Sequence, residues 1–276
     1  MKIITDTGSL MSQKQAKDLD IELLPLQVAI SGKNYRDYFE LASADFVKMV
    51  KDAIPNSSQP AIGDVMEVYE KTKNALHITM TKGLSATYDS ALGILNSMHT
   101  EGITLFNSKT LAGTQKYLVE LASSLSNDKT VEEILARMDK CLTSCQSFLM
   151  PTDFDYLKRG GRITSLAATL GGFLKLKPIV VHTEGSERLE KFGSGRTWTG
   201  AIDQIIERMI ANGVSMTHKI YISHAFNLEV AELAFKRIKE RIQGIEIDVL
   251  ELSPVMITQG GPGCIAIQYI LKDNNR

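Results

Sequence analysis

The amino-acid sequence predicts an α/β protein with two domains, one with a parallel sheet and one with a mixed α/β arrangement. Short apolar runs typical of strands alternate with segments long enough for helices. The chain has 276 residues, more than the ~150 residues of a common domain. The pattern of the sequence also changes near residue 150. We therefore expect an N-terminal parallel-sheet α/β domain over residues 1–150 and a C-terminal mixed α/β domain over residues 151–276.

The N-terminal region begins with a strand, a polar loop and a helix. Residues 2–5 form a short apolar run, and the D-T-G-S sequence at residues 6–9 has turn and helix-capping chemistry. Thr130 and Glu133 have the spacing of a capping box at the start of another helix. Further strands are predicted at 22–30, 75–80 and 102–106. Helices are predicted at 12–19, 43–52, 63–73 and 111–125. Another helix follows the turn at 81–85 and ends at residue 98, and one more begins at residue 130.

A different arrangement is predicted beyond residue 150. The D-F-D-Y-L-K-R-G-G-R sequence at residues 153–162 separates the two regions and includes a basic turn at residues 158–162. For this turn a solvated loop and a contact with a phosphate or an acidic partner are both open readings. Strands are predicted at 146–151, 176–182, 189–193, 219–223, 245–252 and 265–270, and helices at 165–174, 199–210 and 228–242.

The composition excludes several classes of function. A net charge of −1, with no stripes of Lys and Arg, gives no electrostatic surface for nucleic acid. No apolar run reaches the ~18 residues of a membrane span, and the N-terminus does not resemble a signal peptide, so we expect a cytoplasmic protein. The three cysteines are an odd number without C-x-x-C spacing, and no metal-binding motif occurs. We therefore expect neither a metal nor a cofactor.

Two hydroxyl-rich segments come where predicted strands end or loops begin. Ser57 and Ser58 lie in the loop before Pro60, and Ser85 and Thr87 follow the strand at 75–80. Ligands of open parallel sheets bind at the carboxyl ends of the strands, and free N–H groups at a helix start can hold an anion. The sequence therefore predicts that these hydroxyls bind an anionic head group. Helix capping is the simpler alternative for the same serines.

The G-L-S-A-T sequence at residues 83–87 differs from a G-x-S-x-G nucleophile elbow because the second glycine is absent. A serine hydrolase would use Ser85 as nucleophile and would need a downstream base. His224 is the best-placed candidate, although it could simply cap the helix at 228–242. The glycine-rich sequence at residues 260–263 precedes a strand, so it predicts close backbone approach and not a nucleotide loop.

Eight short segments follow one another along the chain in a specific order. They are I-I-T-D-T at residues 3–7, S-S-Q-P at 57–60, G-L-S-A-T-Y at 83–88, L-K-R-G-G-R-I at 157–163, K-P-I at 177–179, R-T at 196–197, S-H-A at 223–225 and G-P-G at 261–263. Each segment is short, but taken in order they resemble the DegV family of fatty-acid-binding proteins, the carrier subunits of bacterial fatty acid kinase.

The resemblance implies a two-domain protein that buries an acyl chain and holds its carboxylate with hydroxyl groups. The family's threonine, serine and arginine fall on Ser57, Ser85 and Arg196. The family's histidine falls on Gln259, which cannot carry a positive charge but can donate a hydrogen bond. A glycine of the family motif is replaced by Ala86. The function implied is binding of a long-chain fatty acid and delivery of its carboxylate to the catalytic subunit of a fatty acid kinase, without catalysis by this chain.

The resemblance, together with the apolar spacing, defines the expected contacts. The acyl tail is expected along the apolar face of the helix at 165–174, and Arg196 is expected to face the kinase unless it is simply an exposed arginine. A transient contact with a membrane surface is compatible with this role. An esterase or acyltransferase using Ser85, and a regulatory lipid-binding module, are the alternative functions. The expected ligand-binding residues are Ser57, Ser58, Ser85, Thr87, Gln259, Gly261, Leu166, Leu170 and Phe173.

Overall fold

A computed structural model describes residues 1–163, 176–182 and 188–274 of the chain. The chain divides into two compact units. Unit 1 comprises Met1–Asp139 and Ser253–Val255, and unit 2 comprises Lys140–Leu252 and Met256–Arg276. We expected the division after residue 150. It comes earlier because the strand Cys145–Met150 pairs with strands of unit 2.

Unit 1 contains a four-stranded parallel sheet and a small antiparallel sheet. The parallel sheet has the order β2-β1-β6-β7, and the antiparallel sheet has the order β4-β3-β5. The strands are β1 (Lys2–Asp6), β2 (Ile21–Leu24), β3 (Gln27–Ile30), β4 (Lys33–Arg36), β5 (Asn56–Ser58), β6 (Ala75–Thr79) and β7 (Ile103–Asn107).

Helices connect the strands of the parallel sheet and cover its faces. Ile4, Tyr69 and Ile94 are among the buried residues that pack together in this unit. The predicted capping box opens α6, because Thr130 N–H donates to Glu133 and Glu133 N–H donates to the Thr130 hydroxyl. The helices are α1 (Gln13–Asp18), α2 (Ser43–Met49), α3 (Ile62–Lys71), α4 (Thr87–Met98), α5 (Ala112–Leu125) and α6 (Val131–Leu142), the last of which ends in unit 2.

The predicted single strand at 22–30 is wrong. The structure contains two strands there, β2 in the parallel sheet and β3 in the antiparallel sheet, separated by Pro25 and Leu26. Proline lacks the N–H that a central strand needs, so the chain leaves one sheet at this position and joins another.

Unit 2 is built on a six-stranded mixed sheet with the order β10-β9-β8-β13-β11-β12. The pair β11 and β12 is parallel, and the other pairs are antiparallel. The strands are β8 (Cys145–Met150), β9 (Lys177–His182), β10 (Glu190–Gly195), β11 (His218–His224), β12 (Glu246–Glu251) and β13 (Ile265–Leu271), and the helices are α7 (Phe154–Gly160), α8 (Trp198–Ala211), α9 (Leu228–Arg241) and α10 (Pro254–Gly260), which begins in unit 1.

One face of this sheet packs against α8 and α9. Alternate residues of the strands, such as Phe148, Ile220 and Ile222, are buried together with Ile205 and Ala234 of the helices. The pattern agrees with strands whose successive side chains point to opposite faces. The described part of the chain is therefore a mixed α/β protein whose two larger sheets are parallel in unit 1 and mixed in unit 2, as the sequence predicted.

Two helices of unit 2 were not predicted. Within the basic sequence at residues 158–162, which was read as a turn, residues 158–160 form the end of α7 and Gly161 is its left-handed C-cap. The helix α10 lies in a segment for which the sequence analysis predicted neither a helix nor a strand. The helix predicted at 165–174 lies outside the described residues. Within the part of the chain that the structure describes, no helix is long and apolar enough to cross a bilayer.

Candidate functional site

The parallel sheet of unit 1 has a topological switch point between β1 and β6. The chain moves from β1 to β2 on one side and later returns to β6 on the other side of β1. Loops at the carboxyl ends of two such strands separate and leave a crevice where ligands bind. The turn at residues 6–9 follows β1 and the loop at residues 80–86 follows β6 at this edge of the sheet.

The side chain of Asp6 forms hydrogen bonds with both the turn at residues 6–9 and the loop at residues 80–86. Its Oδ1 accepts hydrogen bonds from the N–H of Gly8 at 2.9 Å and from Gln115 Nε2 at 3.3 Å, and its Oδ2 accepts from the N–H of Met80 at 2.9 Å. Burial raises the Asp6 pKa to about 6, although these three hydrogen bonds lower it. A side chain at Gly8 would place its Cβ 2.5 Å from Asp6 Oδ1, so this position requires glycine.

Ser85 and Thr87 form a hydroxyl pair at the end of the β6 loop. Their oxygens lie 2.8 Å apart, and Ser85 Oγ also accepts a hydrogen bond from the Thr87 N–H at 3.2 Å. Thr87 is buried, whereas Ser85 is partly exposed. One proton of the pair can lie between the two oxygens, so the other is available to a ligand on the open side of Ser85.

The hydroxyl pair lies at the start of α4. The residue at the N-cap position is Ala86, which offers no side-chain acceptor to the first N–H groups of the helix. Ser85 therefore does not occupy the N-cap position that the simpler alternative gave it, but its Oγ accepts the N–H of Thr87, the first residue of α4. Lys82 is nearby in sequence, but it is half exposed and pairs with Asp89 at 2.9 Å. Neutral donors and helix N–H groups dominate here, an arrangement that suits a carboxylate.

The loop after β7 supports the same edge of the sheet. Asn107 Oδ1 accepts hydrogen bonds from the N–H groups of Lys82 and Lys109, and Thr81 N–H donates to Thr110 O at 2.7 Å. Sequence reasoning did not identify Asn107, and it did not identify the structural role of Asp6 as a hydrogen-bond acceptor. Each is an Asp or Asn with a side-chain acceptor at the last residue of a strand of the parallel sheet, and this position is the available signal.

Ser57 and Ser58 do not lie in a loop of the parallel sheet, as the sequence argument assumed. They belong to β5, which pairs with β3 in the antiparallel sheet, with Ser57 opposite Val28 and Ser58 opposite Gln27. Ser58 is exposed and Ser57 is partly buried. Their role in binding a head group therefore stays a prediction without the support of a shared sheet edge.

Gln259 and Gly261 lie in unit 2 beside the end of α7. A side chain at Gly160 would place its Cβ 2.1 Å from Gln259 Oε1, and one at Gly261 would place its Cβ 2.7 Å from the Tyr156 ring. Gly261 also has a φ of +78°, a conformation that favours glycine. The close approach predicted for the glycine-rich sequence is thus made to Tyr156. A contact of Gln259 or Gly261 with a ligand stays a prediction.

Arg196 is exposed between β10 and α8 and makes no ion pair with another described residue. The preceding residues 193–195 belong to β10. A side chain at Gly195 would place its Cβ 2.5 Å from Ala201 N, so this end of the strand packs tightly on α8. The predicted tail-binding residues Leu166, Leu170 and Phe173 lie outside the described residues.

The arrangement around Ser85 does not provide a hydrolase triad within the described residues. The hydrogen-bond partner of its hydroxyl there is Thr87, and no histidine is bonded to it. His224 does not cap α9, whose N-cap position is Asn227. Burial lowers the His224 pKa, although Glu251 raises it. Among the described residues no group of three or more His, Cys, Asp or Glu side chains could hold a metal ion.

A model of a protein family, described as an uncharacterised protein of the DegV family, matches residues 1–272. The chain belongs to the DegV family. A DegV domain-containing protein of Listeria innocua is 28% identical, with 98% of each chain covered. A DegV domain-containing protein of Halalkalibacterium halodurans is 27% identical, again with 98% of each chain covered.

Solved structures of DegV proteins have the same fold. DegV from Bacillus subtilis, described as a fatty acid binding protein, has a TM-score of 0.85 and 25% identity, covering 98% of this chain and 99% of its own. A DegV family protein from Thermus thermophilus, described in terms of its fatty acid binding, has a TM-score of 0.88 and 24% identity over 98% and 99% of the two chains.

Proposed function

We propose that this chain binds a long-chain fatty acid and presents its carboxylate to the catalytic subunit of a fatty acid kinase. The observation that carries the proposal is the Ser85 and Thr87 hydroxyl pair at the switch point of the parallel sheet, at the start of α4, where the N-cap residue Ala86 has no side-chain acceptor. The description of the Bacillus subtilis DegV as a fatty acid binding protein supports the same ligand.

Neutral donors are sufficient for such a ligand because its tail provides most of the binding free energy. Burial of an acyl chain contributes ~0.8 kcal/mol per CH₂, or on the order of 10 kcal/mol for a long chain before ordering costs. The head group then needs only a few hydrogen bonds to fix its position. A carboxylate held by hydroxyls and not by a salt bridge keeps its charge available to an incoming phosphoryl group.

The kinase partner belongs to the proposal because the chain carries no sequence motif for ATP. Neither a G-K-[S/T] phosphate loop nor a glycine-rich loop between a strand and a helix occurs in the sequence. Phosphoryl transfer would therefore take place on a partner that binds ATP. In this function the chain is a carrier without catalytic residues, and Ser57, Ser58, Gln259 and Gly261 are further candidate contacts for the head group.

Replacement of Ser85 by Ala tests the proposal. A hydrogen bond to a charged group contributes about 1.5–3 kcal/mol, so the dissociation constant of a long-chain fatty acid should rise about 10- to 100-fold. Displacement of a fluorescent fatty acid measures this change. Ser97→Ala is the matched control, since Ser97 lies at the other end of α4 and donates to Ile94 O. Unchanged affinity in Ser85→Ala would contradict the proposed head-group site.

The same pair of variants separates a carrier from an esterase. A carrier should hydrolyse an activated acyl ester no faster than the Ser85→Ala variant does. An esterase that uses Ser85 should turn the ester over and lose this turnover in the variant. Native mass spectrometry of protein purified from a bacterial host, followed by lipid extraction, identifies the ligand. Recovery of a different carboxylate or lipid would favour a regulatory binding module.

A further inference from the structure

A second buried carboxyl group, that of Asp37, lies near Asp6 in unit 1. Asp37 follows β4 and has no exposed surface. Its N–H donates to Leu26 O at 2.8 Å, and its Oδ1 accepts from the N–H of Val255 at 3.1 Å. The other oxygen, Oδ2, is buried and accepts no hydrogen bond from the described part of the chain. A buried carboxylate with an unsatisfied oxygen is costly, so the group favours its protonated form.

Asp37 accepts a hydrogen bond from the beginning of α10. Pro254, the first residue of this helix, has no N–H, so Val255 provides the first donor of the helix. Asp37 accepts this hydrogen bond although it lies 218 residues earlier in the chain. Ser253–Val255 belongs to unit 1, whereas the remaining residues of α10 belong to unit 2. Asp37 is therefore the acceptor that holds the part of α10 that packs in unit 1.

The surroundings of Asp37 favour a bound proton. Burial raises its pKa to about 7, the hydroxyls of Thr7 and Ser253 and the N–H of Val255 lower it, and the charge of Asp6 raises it. Ser253–Val255 carries no titratable side chain. Among the described residues no basic side chain pairs with Asp37.

The charged neighbours of Asp37 in sequence bind elsewhere. Arg36 pairs with Asp64 at 2.5 Å, and Glu40 accepts the N–H of Arg36 at 2.9 Å. Neither side chain therefore neutralises the Asp37 carboxylate. The charged group that acts on Asp37 is another carboxyl group, that of Asp6.

We propose that Asp37 is a pH-sensitive positioning residue that fixes the start of α10 while its carboxyl group is protonated and lets this start open when the proton is lost. An opening that exposes Asp37 to water returns the group to its ordinary acidity, so the opening releases a proton. Proton release makes the opening more favourable as the pH rises from about 4 to about 7, and above that range the group is ionised in both states. The start of α10 should thus be most firmly held under acidic conditions.

The pH-dependent opening bears on ligand binding because Gln259 and Gly261 are candidate ligand contacts. Gln259 lies in the last turn of the same helix, and Gly261 follows this helix directly. This consequence rests on the proposed function. The opening itself does not, because it is measured on the protein without ligand. Failure of the fatty-acid experiment with Ser85→Ala and failure of the experiment below are therefore independent results.

Hydrogen exchange of the α10 amides tests the inference. After correction for the intrinsic exchange rate, the opening constant of residues 255–260 should increase about tenfold per pH unit between pH 5 and about 7 and then level off, because one proton is released. In Asp37→Asn, which keeps an acceptor for Val255 but cannot ionise, it should not depend on pH. Asp52→Asn, at an exposed carboxylate of the same unit, should behave like the wild type.

Two results would overturn the inference. One is a wild-type opening constant that does not change with pH, and the other is an unchanged pH dependence in Asp37→Asn. If that variant does not fold, ¹³C NMR titration of the Asp37 carboxyl in the wild type decides, because a midpoint near the ordinary value of about 4 contradicts a bound proton. Asp37→Ala completes the test, since loss of the acceptor should increase exchange of Val255 at every pH.

Discussion

Met80 donates its backbone N–H to Asp6 Oδ2 at 2.9 Å, and this hydrogen bond joins the turn after β1 to the loop after β6. The two strands are neighbours in the sheet, and the switch point lies between them. Asp6 thus holds the first residue of the loop that carries Ser85, although it contributes no atom to the hydroxyl pair. A carboxylate is suited to this position because both of its oxygens accept hydrogen bonds.

Asp6→Asn should therefore destabilise unit 1. The amide nitrogen of asparagine cannot accept the hydrogen bond of Met80 or of Gly8, so one buried N–H loses its partner. Such a loss costs about 1–3 kcal/mol. Urea denaturation of the variant and the wild type at pH 7 measures the difference. An unchanged free energy of unfolding would mean that the hydrogen bonds to Asp6 do not hold the two loops.

The pH dependence of stability should contain a contribution from His77. This residue is completely buried, its Nδ1 is hydrogen-bonded to the Tyr69 hydroxyl at 2.7 Å, and burial lowers its pKa to about 3. In the unfolded chain His77 binds a proton below about pH 6.5. Its contribution to stability is therefore present above pH 6.5 and is lost as the pH falls towards 3, by at most ~1.4 kcal/mol per pH unit.

His77→Gln checks this contribution, because glutamine can still bond to Tyr69 but does not titrate. Between pH 6.5 and 4.5 the free energy of unfolding of the variant should fall less steeply than that of the wild type. Tyr69→Phe is the companion variant, since it removes the hydrogen bond without removing the histidine. Equal slopes for His77→Gln and the wild type would show that His77 is protonated in the folded protein.

Gly261→Ala should destabilise the protein more than Gly213→Ala does. Both glycines have left-handed backbone conformations, with φ of +78° and +76°. A Cβ at Gly261 would lie 2.7 Å from the Tyr156 ring, whereas a Cβ at Gly213 would meet open space. The backbone term of about 1–2 kcal/mol is common to both, so the difference in thermal stability between the two variants measures the contact with Tyr156. Equal losses would show that the ring moves away without cost.

Arg196→Ala should separate binding from delivery. If Arg196 contacts the kinase, the variant should keep its affinity for fatty acid nearly unchanged and should stop acyl-phosphate formation in an assay with a fatty acid kinase catalytic subunit and ATP. An exposed lysine of the same unit, Lys236 on α9, provides the control Lys236→Ala. Full activity of Arg196→Ala in this assay would leave Arg196 as an ordinary exposed arginine.

Most elements of the fold were predictable because their signals are local. The alternation of apolar runs and helix-length segments indicated β6, α4, β7 and α5 with nearly the bounds observed, and the capping box at Thr130 indicated α6. The position of the Ser85 and Thr87 hydroxyls was also predictable. A strand of a parallel sheet that is followed directly by a helix places the connecting residues at the carboxyl end of the sheet. In each case the residues that decide the structure lie within a few positions of one another.

Contacts between distant residues were decided only by the tertiary structure. The sequence alone places Ser57 and Ser58 between the helix predicted at 43–52 and Pro60. Only the pairing of β5 with β3 decided that these serines lie in a separate antiparallel sheet. In the same way, no local pattern indicates that Asp37 accepts the N–H of Val255, 218 residues away. Partner strands and buried acceptors are selected by packing of the whole unit, because many strands and carboxylates are locally equivalent and only the folded chain brings one of them within hydrogen-bond distance.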